Sequence, residues 1–159
     1  MRYLIIAILL LASAGITKSQ TVGPLVAEGG KGRARGEFTV TNNGVIPMIT
    51  TVRVMQFKLT PEGKSIFLPL DNTISVKLGE SSAKVGARQE HSFSYEILCL
   101  RTEPCLVAFL PRMVTSVHTT EGIQVGLIIP HSVYLCADQE KAKGCRARVR
   151  KAAGIPEGK

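Results

Sequence analysis

The sequence predicts an all-β fold, an antiparallel β-sandwich of about seven short strands. Three observations lead to this prediction. Apolar and polar residues alternate in many segments, which is the two-residue period of a strand with one buried face. Turn-forming Gly, Pro and Asn residues separate these segments. No apolar pattern of helical period longer than two turns occurs before Ala137.

The composition fits one domain, or a domain with a tail. The chain has 159 residues and a net charge of +8, and 45% of its residues are hydrophobic. A length in this range is typical of a single domain. Because Trp is absent and only 5% of the residues are aromatic, we expect a mainly aliphatic core.

The N-terminus has the pattern of a secretory signal peptide. Arg2 precedes an apolar run over residues 4–11, and small residues follow it. The run is shorter than the about 20 residues that a membrane-spanning helix needs, so stable membrane insertion is not expected. We predict a signal peptide over residues 1–19, cleaved after Ala14 or Ser19. The protein is then periplasmic or secreted.

Export to an oxidising compartment decides how the four cysteines are interpreted. Their spacing is not that of a zinc site, and neither a metal nor another cofactor is expected. In such a compartment two disulfides are predicted, for which three pairings exist. The short separations favour Cys99 with Cys105 and Cys136 with Cys145.

The candidate strands follow one another along the chain with turns between them. They cover residues 22–27, 37–41, 46–59, 73–78, 90–100, 105–110 and 122–136. Residues 31–35 are predicted to form a basic turn. The apolar phase slips between Val54 and Met55, which indicates a bulge or a bend. Pro111 is predicted to end the sixth strand.

The last candidate strand combines an apolar row with a proline. Ile123, Val125 and Leu127 fall on one face. Pro130 has no N–H group to donate, so the strand is expected at an edge or a bulge at that point. An exposed edge with aliphatic side chains is an aggregation hazard unless something covers it. The alternative is that the three residues fill a sandwich core.

Several features, in order, resemble the first domain of PapD-like pilus chaperones. They are an opening strand with Pro24, the turn at Asn42-Asn43-Gly44, Ile46-Pro47 before a long strand, the strand HSFSYEI and the closing strand. The resemblance covers roughly residues 21–136 and implies an immunoglobulin-like fold. It also implies that Ile123, Val125 and Leu127 are lent to a pilin-like subunit that lacks a strand. An outer-membrane usher would be a further partner.

The sequence departs from this resemblance in two ways. Residues 137–159 are too few for the second β-domain of these chaperones. Such chaperones also hold the terminal carboxylate of the subunit with two basic residues, which align here near Leu25 and on Ser132. Neither position is basic, although Arg33, Arg35 and His131 lie nearby in the sequence.

The C-terminal segment, residues 137–159, is strongly basic. It holds seven Lys and Arg residues against three Asp and Glu residues. We expect a solvated terminus that is mobile after Gly144. Nucleic acid is not an expected partner, because the chain is exported and lacks aromatic side chains for base stacking.

An enzymatic role is not expected. His91, His118 and His131 are isolated from one another, and the only aspartates are Asp71 and Asp138. The nucleophile motif of hydrolases is absent. The first hypothesis is therefore a chaperone-like protein that binds an incomplete immunoglobulin-like subunit by strand addition. The alternative is a self-contained secreted sandwich with a structural or adhesive role.

Overall fold

The computed structural model describes residues 20–116, 126–137 and 144–156. The predicted signal peptide, Ile123 and Val125 lie outside these residues. The described chain forms eleven strands and one helix, α1 (Cys145–Ala152). The strands are β1 (Thr21–Gly23), β2 (Val26–Gly30), β3 (Arg33–Thr41), β4 (Met48–Leu59), β5 (Ser65–Leu68), β6 (Ile74–Leu78), β7 (Ser82–Val85), β8 (Glu90–Cys99), β9 (Cys105–Thr115), β10 (Gly126–Ile128) and β11 (His131–Cys136).

The strands form one sheet that folds over into two layers. Its order is β5-β4-β9-β11-β2-β3-β8-β6, with β1 on β3, β7 on β4 and β10 on β9. The fold-over lies between β2 and β3, which pair only at Gly30 and Arg33. The first layer runs from β5 to β2 with β7 and β10, and the second contains β1, β3, β8 and β6. The predicted all-β sandwich is confirmed.

The main core lies between the two layers. Phe38 and Phe93 of the second layer and Val107 and Phe109 of the first layer are fully buried. The ring centroids of Phe38 and Phe109 lie 5.6 Å apart, so contacts run directly from layer to layer. Alternation places these side chains on the inner faces of their strands.

Two disulfides join elements of the fold. Cys99 at the end of β8 is bonded to Cys105 at the start of β9, which links the second layer to the first. Cys136 at the end of β11 is bonded to Cys145 at the start of α1. These are the two pairs that the short separations in the sequence favoured.

An outer cluster covers part of the opposite face of the first layer. Its buried members are Phe57, Leu106, Ala108, Tyr134, Cys136 and Cys145. The register of β4 with β9 is constant from Met48 to Gln56, so β4 has no bulge between Val54 and Met55, the first of the two predicted alternatives. The apolar phase changes because Val54 packs against the main core whereas Phe57 packs in the outer cluster.

Helix α1 is held on the first layer. The backbone N–H groups of Gly144 and Arg146 donate to the Glu28 carboxylate of β2, at 2.9 and 2.6 Å. Val149 packs against the outer cluster, and Ile155, just after the helix, is only 6% exposed. The prediction of a mobile terminus after Gly144 is therefore wrong for residues 145–156. The described part of the chain contains no helix long and apolar enough to span a membrane.

Two predicted strand ends are also wrong. Strand β9 continues through Pro111 to Thr115, because Pro111 stands opposite Val52 without breaking the register with β4. Strand β3 begins at Arg33, so most of the predicted basic turn is strand, with Arg35 opposite Glu96 of β8.

The turn after β3 is closed by one buried amide side chain. Asn42 donates to the carbonyl oxygens of Ile46 and Gly86, at 2.9 and 3.0 Å. Its own side-chain oxygen accepts a hydrogen bond from the Gly44 N–H at 3.0 Å. Asn42 is fully buried, so these bonds satisfy polar atoms that have lost contact with water.

Candidate partner-binding edge

Strands β10 and β11 are two parts of one interrupted strand. Both pair antiparallel with β9, and the register is the same on either side of the interruption. The gap lies at Ile129 and Pro130, opposite Leu110 and Pro111 of β9. Since neither proline has an N–H group, the ladder cannot be completed there. Because the register is the same on both sides of the gap, the strand contains no bulge there.

The two parts have different neighbours on their other side. Strand β11 pairs parallel with β2, from Ser132 opposite Val26 to Cys136 opposite Gly30. Strand β1, which precedes β2, pairs instead with β3 in the second layer. The chain crosses between the layers at the cis Gly23–Pro24 peptide. As a result, β10 has no strand on the side away from β9 within the described residues.

The aliphatic side chains of β10 are only partly covered. Leu127 is 39% exposed and Ile128 is 51% exposed. Leu127 stands opposite Met113, which is buried in the main core, so its side chain belongs to the inner face at an open end of the sandwich. Of the three predicted donor residues, Leu127 lies on this edge, and Ile123 and Val125 lie outside the described residues.

His131 lies where the strand changes from its open part, β10, to its covered part, β11. Its ring is fully buried, with Nδ1 2.5 Å from the Pro24 carbonyl oxygen and Nε2 3.1 Å from the Tyr95 hydroxyl. Because a carbonyl only accepts, Nδ1 carries the proton and Nε2 accepts from Tyr95. The ring also stacks on Phe38, with centroids 5.1 Å apart. His131 thus joins the crossover, β8 and β11.

Burial sets the protonation of this pair. Desolvation lowers the pKa of His131, against a smaller raising effect of its bond to Pro24. Desolvation also raises the pKa of Tyr95 to about 12. Both groups are therefore neutral at pH 7. This role of His131 was not predicted from the sequence, although the two-residue period that links Leu127, Val133 and Leu135 places His131 on the same inner face.

Among the described residues, no positively charged side chain lies near Leu25 and Ser132, the positions that align with the basic anchor of PapD-like chaperones. Leu25 is 52% exposed, and its carbonyl accepts a hydrogen bond from the Ser132 N–H at 2.8 Å. His131 is neutral and enclosed. Arg33 stands opposite Gly30 of β2. Gly30 lies four residues further along β2 than Val26, which is the residue opposite Ser132. Arg35 is paired with Glu96.

A second concave surface lies on the outer face of the second layer. It is a groove of about 500 Å³, and Arg33, Arg35 and Lys77 line it together with Glu96. The ion pair between Arg35 and Glu96 partly neutralises it. The groove is on the opposite layer from β10. It is therefore not part of the candidate partner-binding edge, which is the side of Gly126–Ile128 that points away from β9.

Solved structures of fimbrial chaperones match the chain. One chain of the CsuC–CsuE chaperone–tip adhesion subunit pre-assembly complex of Acinetobacter baumannii matches with a TM-score of 0.53 and 11% identity, over 82% of this chain and 66% of that chain. The class 5 fimbriae chaperone CfaA matches with a TM-score of 0.55 and 11% identity, over 77% of this chain and 58% of that chain. The fold is PapD-like.

The PapD-like fold also occurs in a protein of another kind. The ASH/PapD-like domain 7 of human CEP192 matches with a TM-score of 0.50 and 8% identity, over 80% of this chain and 93% of that domain. By contrast, the chain spans less than two thirds of the length of the two fimbrial structures. No family model matches the sequence, and no curated protein matches it.

Proposed function

We propose that the protein is an exported, PapD-like binding protein that engages an incomplete immunoglobulin-like subunit by β-strand addition along β10. The observation that carries the proposal is the edge of β10, which no described strand covers. An uncovered edge offers backbone N–H and C=O groups to an added strand, and these bonds fix its register. The role is binding and not catalysis.

The position of Leu127 supports the same proposal. It lies on the inner face of the strand, yet 39% of it stays exposed because the sandwich is open at this end. A partner that lacks a strand can cover Leu127 while using β10 as its missing strand. Because only part of Leu127 is exposed, covering it contributes a fraction of the roughly 1.5–3 kcal/mol that full burial of a leucine gives, before ordering costs. Ile123 and Val125 are proposed to extend this row.

The missing anchor changes what the partner must provide. Because no described residue places a cation near Leu25 and Ser132, a free terminal carboxylate of the subunit is proposed to contribute little to binding. Recognition then depends on the edge and its aliphatic row. An amidated partner peptide is therefore expected to bind as well as one with a free C-terminus.

The proposed location is the periplasm or the cell exterior. Its support is the N-terminal signal-peptide pattern together with two disulfides, which persist in oxidising compartments. The matching structure of the periplasmic chaperone SfaE favours the periplasm. An outer-membrane usher, the second partner that the resemblance implies, stays a prediction.

A self-contained structural or adhesive module is the second candidate. It is favoured by the position of Leu127 on the core side of its strand, opposite Met113. The likeness to a PapD-like domain of human CEP192 shows that the fold also occurs outside fimbrial chaperones. In such a module the edge of β10 takes up no strand.

Amide exchange with a strand-forming probe tests the proposal. The probe is a short peptide that alternates valine with glutamine and has blocked ends. Added to the full-length protein, it is expected to slow exchange of those amides of Gly126–Ile128 that point away from β9. Leu127→Ser should weaken this protection, whereas Leu100→Ser, which alters a 70% exposed leucine elsewhere, should not.

Two outcomes would contradict strand addition. Exchange that does not change at saturating peptide favours the self-contained module. Amides on this edge that are already protected without peptide mean that the free protein covers β10 itself. Protection that appears with the peptide and is lost in Leu127→Ser supports the proposal.

A further inference from the structure

Arg112 lies across the partner-binding edge. It belongs to β9, stands opposite Ile128 and is exposed on the outer face of the first layer. Its Nε and Cγ atoms lie 3.2 and 3.8 Å from the position that a Cβ atom on Gly126 would occupy. The side chain therefore passes over Gly126, and the absence of a side chain at that residue gives it room.

No described group neutralises Arg112. It has no hydrogen bond or ion pair among the described residues, and the nearby outer-face positions carry no carboxylate. Those positions are Ile49, Thr51, Arg53, Ser82, Lys84, Leu110, Val114 and Ile128. Ile49 and Ile128 are about half exposed, so the guanidinium lies on a partly apolar surface. This surface is complementary to a partner with negative charge.

We propose that Arg112 selects a partner strand that carries an acidic side chain beside Gly126, on the outer face of the extended first layer. This inference rests on the proposed strand addition along β10. Residues directly opposite each other in neighbouring strands project to the same face. The partner residue opposite Gly126 would thus project towards the guanidinium that crosses Gly126, and a carboxylate there can accept its N–H groups.

Arg53 provides a matched control for Arg112. Both arginines lie exposed on the outer face of the first layer, and neither has a hydrogen bond or ion pair among the described residues. Arg53 is in β4, which β9 separates from β10. Replacing either one removes the same charge from the protein, but only Arg112 reaches the edge.

The experiment compares three blocked peptides that alternate valine with glutamate, glutamine or lysine. Their affinities for the full-length protein are measured by fluorescence anisotropy. The glutamate peptide is expected to bind about fivefold more tightly than the glutamine peptide, as for one partly exposed ion pair, and the lysine peptide more weakly. Raising the salt concentration should reduce this preference.

Two variants of the edge should reduce the preference without preventing binding. Arg112→Gln should bind the glutamate and glutamine peptides equally, whereas Arg53→Gln should keep the wild-type preference. Gly126→Ala places a Cβ atom 3.2 Å from Nε and should displace the side chain, which weakens the preference while the charge is kept.

The outcomes separate this inference from the proposed function. If no peptide binds, the strand addition on which it rests fails. If the glutamine peptide binds but glutamate gives no gain, the role of Arg112 alone is wrong. Equal loss of preference in Arg53→Gln and Arg112→Gln would show a general charge effect and overturn the inference.

Discussion

The two ends of the strand formed by β10 and β11 lie in different surroundings. At the covered end, β11 is paired on both sides, its inner face is in the main core and its outer face lies under the outer cluster and α1. At the open end, β10 is paired only with β9 among the described residues, and its leucine is partly exposed. The residue type is similar at both ends, so the neighbours decide which part of the strand is covered.

His131 separates the two ends. Its hydrogen bonds to Pro24 and Tyr95 hold the crossover of the first strand at the point where β2 begins to cover β11. Before that point the opening strand, β1, belongs to the second layer, and no described strand covers β10 on the side away from β9. The covered end is thus paired on both sides, whereas the open end is paired only with β9 among the described residues, which is what the proposed strand addition requires.

The largest expected effect comes from removing the cover. Ending the chain at residue 143, with Cys136→Ser to avoid a free thiol, uncovers Phe57 and Tyr134 and removes a disulfide. We expect the free energy of unfolding to fall by about 4 kcal/mol or more, measured in urea. The full chain with both Cys136→Ser and Cys145→Ser isolates the disulfide contribution. A change below about 1 kcal/mol on truncation would show that α1 adds no stability.

The same substitution at both ends gives the most direct comparison. Leu135→Ala, at a fully buried position of the covered end, should cost about 2–5 kcal/mol. Leu127→Ala, on the same face of the open end, should cost less than about 1.5 kcal/mol because the side chain is already partly in water. Equal losses in denaturant melts would place Leu127 in the core and contradict the comparison.

Much of the fold could be predicted from the sequence, because alternation and turn residues specify strands locally. The outer cluster could not. The phase change at Val54 suggested a bulge or a bend, whereas it marks the place where β4 begins to bury its outer face as well. Helix α1 has only eight residues, too few for its single inward row to stand out from the basic residues around it.

The candidate site could be predicted only in part. Leu127 and the proline break were visible as a pattern. Whether β10 is an edge depends on β1 crossing to the second layer, which is a long-range feature that no local pattern specifies. The reach of Arg112 over Gly126 likewise depends on the register of two strands.

Low pH should weaken the contacts of His131 with Pro24 and Tyr95, which lie between the two ends of the strand. The pKa of folded His131 is lowered, so below about pH 6.5 the unfolded chain binds a proton that the folded protein excludes. Stability should fall as the pH drops through that value, by at most about 1.4 kcal/mol per pH unit from this group. Unfolding measured from pH 8 to pH 5 should lose this part of the slope in His131→Gln but keep it in His91→Gln. An unchanged slope in His131→Gln would contradict the assignment.

The carboxylate that holds α1 should have a smaller effect. Glu28→Gln replaces one acceptor oxygen with an amide NH2 group, a donor that faces the backbone N–H group of Gly144 or Arg146. We expect a loss of about 1 kcal/mol, similar to the loss of a helix cap. Glu37→Gln, an exposed carboxylate of β3, is the control and should change stability little. A loss in both variants would point to overall charge instead of the helix contact.

The last expected effect, similar in size to that of Glu28→Gln, concerns whether water is excluded from the inner face at the open end. Thr50 of β4 lies on the inner face opposite Met113, in the same cross-strand row as Leu127. Its hydroxyl is buried and has no hydrogen-bond partner among the described residues. Thr50→Val keeps the shape and removes the unpaired group, so the free energy of unfolding should rise by about 1 kcal/mol.

The exposed neighbour provides the control for this last change. Thr51→Val alters the outer face, where the hydroxyl is in water, and should leave the free energy of unfolding nearly unchanged. If Thr50→Val instead destabilises the protein, water reaches the hydroxyl through the open end. Water would then contact the cross-strand neighbours Thr50, Met113 and Leu127 in the free protein. A partner strand would have to displace that water when it covers β10.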